Sequence, residues 1–89
     1  MLTREVTIEN AEGFHVRPAQ QFVHTAGRFA ATIYVINEKG VKVDGKSILG
    51  LMTLGLAKGA KMTIQADGAD EREALEALTQ LVESKFGEE

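Results

Sequence analysis

The sequence predicts an α+β domain, a sheet covered on one side by helices, in the order β-α-β-β-α-β-α. Three observations carry this. Stretches with a period of two alternate along the chain with stretches of helical spacing. Each helical stretch has one apolar stripe and each strand one apolar face, the requirement for two packed layers. The 89 residues, 44% hydrophobic and 26% charged, have the composition of an ordinary globular chain and the length for one core, so residues 1–89 are expected to form a single domain. The far face of the sheet is then solvated, as antiparallel sheets allow.

The elements follow in order. From Leu2 to Glu9, Leu2, Val6 and Ile8 alternate with Thr3, Glu5, Thr7 and Glu9, while Arg4 interrupts the apolar face. Asn10 to Gly13 reads as a turn. Ala19, Phe22, Val23, Ala26 and Ala30 recur at helical spacing after Pro18, a residue tolerated in a first helical turn. This helix should start near Val16 and stop near Gly27. Ala31 to Asn37, rich in β-branched residues, reads as a strand, and Val41 to Val43 as a short second one, joined through Asn37 to Gly40. Ser47 to Leu54 reads as a short helix with a serine N-cap and a stop at Gly55; Gly50 inside it costs about 1 kcal/mol relative to alanine.

Ala60, Met62, Ile64 and Ala66 alternate with Lys61, Thr63, Gln65 and Asp67, the clearest strand. Asp70 to Phe86 is the clearest helix, with Ala74, Leu75, Leu78, Leu81, Val82 and Phe86 on one stripe. Asp70 is placed to cap it, with Glu73 at capping-box spacing. Glu88 and Glu89 read as a frayed tail.

Several function classes are disfavoured. With no cysteine there is no disulfide framework, thiolate metal site or cysteine nucleophile. A net charge of −3 disfavours nucleic acid as a partner. Apolar runs such as Tyr34-Val35-Ile36 fall far short of the roughly 20 residues of a membrane span. Met1 to Glu5 lacks the apolar core of a signal peptide, so a cytoplasmic domain without membrane insertion is expected. No metal-ligand cluster, paired-carboxylate arrangement or Ser-His-Asp order stands out, and no cofactor or metal is expected.

Four constellations could carry chemistry. In Gly13-Phe14-His15-Val16-Arg17-Pro18-Ala19, a histidine sits at the start of a helix whose first N–H groups lack internal partners and whose dipole favours anions. Imidazole is nucleophilic near neutrality, and a phosphoryl group on its ring would sit among the Val16 and Arg17 N–H groups beside the Arg17 guanidinium. Gly13 would let the loop carry the imidazole over the helix end. On spacing alone, a histidine that merely caps a helix beside a solvated arginine is the stronger reading. His24, about two and a half turns further on, points to a different face and is read as an exposed residue suited to a helix C-terminus.

Gly40 to Ser47 formally matches the phosphate-binding loop G-x-x-x-x-G-K-[ST]. That mechanism needs a strand, then a loop, then a long helix, whereas here the middle of the motif is itself a strand, so nucleotide binding is not expected. In Lys46 to Met52, Ser47 is an ordinary N-cap, or else a phosphorylation site whose added charge meets the helix dipole favourably. Ile48, Leu49, Leu51 and Met52 cannot all face one core stripe, which leaves an exposed apolar patch suited to docking.

Gly13 to Ala19 resembles the active-site signature of the HPr family, the histidine phosphocarriers of the bacterial phosphoenolpyruvate-dependent sugar phosphotransferase system. Lys46 to Gly55 resembles that family's second signature, around a regulatory serine, and Lys58-Gly59-Ala60 and Asp67 to Glu71 are also typical. Both signatures occur in order over nearly the whole chain, and together they outweigh the plainer reading of His15. The resemblance implies an open-faced β-sandwich, a four-stranded antiparallel sheet under three helices. It implies that His15 accepts a phosphoryl group on Nδ1 from phosphorylated enzyme I and passes it to enzyme IIA domains of sugar transporters. It further implies that Arg17 steadies that group, and that Ser47 is the target of an ATP-dependent HPr kinase/phosphorylase, whose product binds a catabolite-control repressor. Ile48, Leu49 and Met52 fall at the family's docking positions.

Phe14 replaces a commoner leucine or isoleucine, and Val16 a smaller or hydroxyl residue, which bears on transfer rate. The 37–40 hairpin reads about one residue longer than in many relatives. A close paralogue class lacks the histidine, and His15 argues against it. The expectation is a monomeric carrier, not an enzyme, because His15 is modified stoichiometrically. The alternatives are a regulatory module acting mainly through phosphorylated Ser47, and a carrier of a nitrogen-related or other non-sugar branch.

Overall fold

A computed structural model describes residues 1–87; the expected frayed tail, Glu88 and Glu89, lies outside the described residues. Alternation of apolar and polar side chains produces four strands: β1 (Leu2–Thr7), β2 (Thr32–Asn37), β3 (Lys42–Asp44) and β4 (Lys61–Asp67). They form one antiparallel sheet in the order β1-β4-β2-β3. The strand with the cleanest alternation, β4, is central. Its partners Val6↔Met62, Val35↔Ile64 and Ile33↔Ala66 set the apolar side chains on one face. Met62, Ile64 and Ala66 are accordingly buried.

Three helices cover that face: α1 (Val16–Ala26), α2 (Ile48–Met52) and α3 (Glu71–Glu83). Helix α3 lies over β1 and β4, and α1 packs against both α2 and α3. The element order and the open-faced architecture agree with the sequence. Phe22, Leu51, Leu78 and Val82 from the helices close on Ile8, Ile33, Val35 and Ile64 in a single core.

The departures from the sequence reading are local. Strand β1 stops at Thr7; Ile8 follows it into the core, its N–H donating to the Ala60 carbonyl at 2.8 Å. Ala30, expected on the α1 stripe, lies exposed beyond the helix end. Strand β3 is shifted by one residue, because the Asn37 side-chain oxygen accepts the N–H groups of Lys39 and Val41 and so keeps Val41 in the turn. Helix α2 ends at Met52 rather than Leu54. Its Gly50 is favoured by packing: an added Cβ would approach the Val43 Cβ to 3.3 Å and the Ser47 Oγ to 3.4 Å.

Two corrections concern α3. The Asp70 side chain makes no cap hydrogen bond to α3. It accepts the N–H groups of Ala30 and Ala31 instead, each at 2.9 Å, so a tertiary clamp replaces the expected capping box. The helix also ends at Glu83, before Phe86. Lys85 and Phe86 both adopt left-handed backbone angles, with φ of 57° and 56°. This turn buries the Phe86 ring against Phe14, with centroids 5.7 Å apart.

Candidate functional site

His15 occupies the N-cap of α1 with extended backbone, so the sequence placed it correctly, but its side chain makes no cap hydrogen bond. The imidazole is thus not committed to the capping role that the plainer reading gave it. Val16, Arg17 and Pro18 are the first three helical residues, whose amides have no partner within a helix. Pro18 therefore sacrifices no helical bond, and the first one runs from the Ala19 N–H to the His15 carbonyl. The N–H groups of Val16 and Arg17 remain as donors at the positive end of the helix dipole.

The loop before the helix is fixed from several sides. The Gly13 N–H donates to the Asn10 carbonyl, and the buried Asn10 side chain donates back to the Gly13 carbonyl. The Phe14 N–H donates to the Leu56 carbonyl at 2.9 Å. Gly13 has φ of +74°, and an added Cβ there would lie 2.8 Å from the Leu56 oxygen. Beneath His15, the Phe14 ring meets Phe22 edge-on at 5.8 Å and stacks on Phe86. The replacement of the commoner aliphatic residue by Phe14 thus has a structural counterpart in Phe86.

His15 and Arg17 line one depression of about 500 Å³, open to solvent, together with Ala11, Glu12, Gln21, Phe86 and Gly87. The His15 side chain is 35% exposed, yet its Nε2 is shielded from solvent and lies 3.5 Å from a Glu12 carboxylate oxygen. Glu12, Gln21 and Phe86 were not singled out from the sequence as site residues. Gln21 is one turn beyond Arg17, and that i,i+4 spacing could have pointed to it. Glu12 stands in a loop, where no periodicity marks it. No group of three potential metal ligands occurs among the described residues.

Ser47 caps α2, its Oγ accepting the Gly50 N–H at 3.1 Å. Around it the apolar side chains divide as expected: Leu51 is in the core, Ile48 and Met52 are half-buried, and Leu49 is 81% exposed. His24 is exposed in the last turn of α1. The formal phosphate-binding loop is occupied by other bonds. The N–H groups of Gly45, Lys46 and Ser47 donate to the Ile33 carbonyl, the Asp44 carboxylate and the Asp44 carbonyl, and the Lys46 ammonium donates to the Phe29 carbonyl. The following helix has only five residues. A phosphate chain finds no cradle there.

Among the described residues, no helix is long and apolar enough to cross a membrane. The family model described as the phosphorylation site of the phosphotransferase-system HPr component matches residues 2–84. The phosphocarrier protein HPr of Neisseria meningitidis is 43% identical over 88 residues, covering 99% of this chain and 98% of the relative. An HPr-like protein Crh of Halalkalibacterium halodurans is 40% identical, covering 96% of this chain and all of its own. The crystal structure of HPr-C-His from Thermoanaerobacter tengcongensis superposes with a TM-score of 0.95 at 46% identity, covering 100% and 99% of the two chains. Sequence and fold agree, and the chain belongs to the HPr family of the phosphotransferase system, in which HPr itself is a phosphocarrier rather than an enzyme.

Proposed function

We infer that this protein accepts a phosphoryl group on Nδ1 of His15 from phosphorylated enzyme I and delivers it to enzyme IIA domains of sugar transporters. The observation that carries this reading is the ring at the start of α1. Its Nε2 is shielded, and two amide donors and Arg17 are grouped at the helix end. Nε2 is shielded and faces Glu12, and Nδ1 is the nitrogen to which the family resemblance assigns the transfer. The amide donors and the guanidinium then face the oxygens of the group it acquires. An open depression suits a group that must be taken from one protein and surrendered to another. The natural form of such a shuttle is a single cytoplasmic domain acting as a monomer; light scattering at working concentration tests the last point.

Incubation with enzyme I and phosphoenolpyruvate should add one acid-labile phosphoryl group to the wild type and none to His15→Ala. An unchanged wild-type mass would sink the reading. Arg17→Ala should take up the group more slowly, read from the initial rate.

A second reading is favoured by the similarity to an HPr-like protein Crh and by the geometry at Ser47. Phosphorylation of Ser47 by a kinase/phosphorylase would place about two negative charges at the start of α2, beside exposed Leu49, and create a surface for a catabolite-control repressor. Repressor binding by Ser47-phosphorylated protein that survives His15→Ala would separate this role from the carrier role. Ile48, Leu49 and Met52 are the docking side chains in both.

A further inference from the structure

We propose that Glu12 is a positioning residue for phosphoryl transfer, its negative charge favouring the His15 proton on Nε2 and so the lone pair on Nδ1. The proposal rests on the reading of His15 as the phosphoryl acceptor.

The Glu12 carboxylate lies 3.5 Å from Nε2, a contact of ion-pair and not hydrogen-bond geometry, so it acts through its charge. The nitrogen it faces is shielded from solvent, whereas the Glu12 side chain is 78% exposed. Both residues flank the Gly13–Phe14 backbone that is tied to Asn10 and Leu56, so the loop holds their backbones close to one another. A neutral imidazole carries one N–H, and the partner of one nitrogen decides the state of the other. A carboxylate only accepts, so it favours the tautomer with the proton on Nε2 and the lone pair on Nδ1.

The same contact acts during transfer. As Nδ1 attacks, its bond to phosphorus forms while the donor's bond to phosphorus breaks, and that electron pair leaves with the donor. Nδ1 has given up its lone pair, so the His15 ring becomes positively charged, and the charge is shared with Nε2–H beside the carboxylate. On delivery the bond electrons return to Nδ1, and the ring departs as neutral imidazole because Nε2 has kept its proton. No proton enters or leaves in either direction. A carboxylate behind a catalytic histidine acts in the same way in serine hydrolases, fixing the tautomer and stabilising the imidazolium.

The competing effect is repulsion between Glu12 and the phosphoryl oxygens. Arg17, the other charged residue lining the depression among the described residues, opposes it. The two effects have opposite signs in a rate measurement. Glu12→Gln removes the charge from an exposed loop side chain without removing its bulk. We expect phosphorylation by enzyme I and onward transfer to an enzyme IIA domain both to slow about three- to fivefold, the scale of an exposed ion pair. Glu12→Asp should recover part of this. In the unphosphorylated protein, above the usual titration range of imidazole, the His15 ring nitrogen shifts should move from an almost pure Nε2–H tautomer in the wild type towards a mixture in Glu12→Gln. Transfer that is unchanged or faster in Glu12→Gln, or ring nitrogen shifts identical to wild type, would overturn the role. If the wild type itself takes no phosphoryl group, the carrier reading fails and the role falls with it; an active wild type with an indifferent Glu12→Gln removes the role alone.

Discussion

Gly13 has no room for a side chain: its φ of +74° and the Leu56 oxygen at 2.8 Å from a notional Cβ both require glycine. Gly13→Ala should cost about 2 kcal/mol or more, because left-handed strain and a backbone clash add. Urea unfolding would show it, together with slower phosphorylation because His15 is two residues away. Asp70 makes a different kind of contact. The Ala30 N–H, with help from the Ala31 N–H and the nearby Lys46 charge, holds its carboxyl below the ordinary value of 3.8. A carboxyl depressed on folding stabilises the native state above its unfolded value, and that contribution is lost as pH falls through the folded one. The stability difference between wild type and Asp70→Asn should therefore be full at neutral pH and shrink below about pH 4, the usual aspartate range. A gap that persists unchanged at pH 2 would contradict this. The local sequence made Asp70 look like a cap because its true partners lie about forty positions earlier, beyond the reach of any capping rule.

At the scale of elements, periodicity made most of the fold legible. Alternation identified β4, and an apolar stripe identified α1 and α3, because burial on one face leaves that imprint directly. The end of α3 was not legible. Leu81, Val82 and Phe86 continue the helical spacing, and neither Lys85 nor Phe86 is a residue that ordinarily marks a left-handed turn. The turn is maintained by what it buries: Phe86 is 2% exposed and stacks on the ring next to His15. Phe86→Ala should cost about 3 kcal/mol, near the lower end for a buried ring because it releases backbone strain. It should also slow phosphorylation more than a comparable core truncation such as Leu78→Ala, measured where both variants are fully folded. Equal slowing in the two would mean that the aromatic stack does not support the site.

For the whole molecule, the two signatures led to the site because they fix what stands at the starts of α1 and α2. The family model, matching residues 2–84, spans both of them. Glu12 stayed hidden because a loop carboxylate has no periodic signature, and only the folded loop brings it to the imidazole. The domain puts a histidine at an open helix end, with its remaining core serving to hold that loop and helix in register. On the proposed reading, larger partners deliver and remove the group that His15 carries. The deciding measurement is a two-step chase: the protein is labelled from radioactive phosphoenolpyruvate by enzyme I, purified free of enzyme I, and mixed with an enzyme IIA domain. The label should leave His15 and appear on the acceptor in a single rapid turnover; label that stays on the protein, or is released only as inorganic phosphate, would contradict a carrier role.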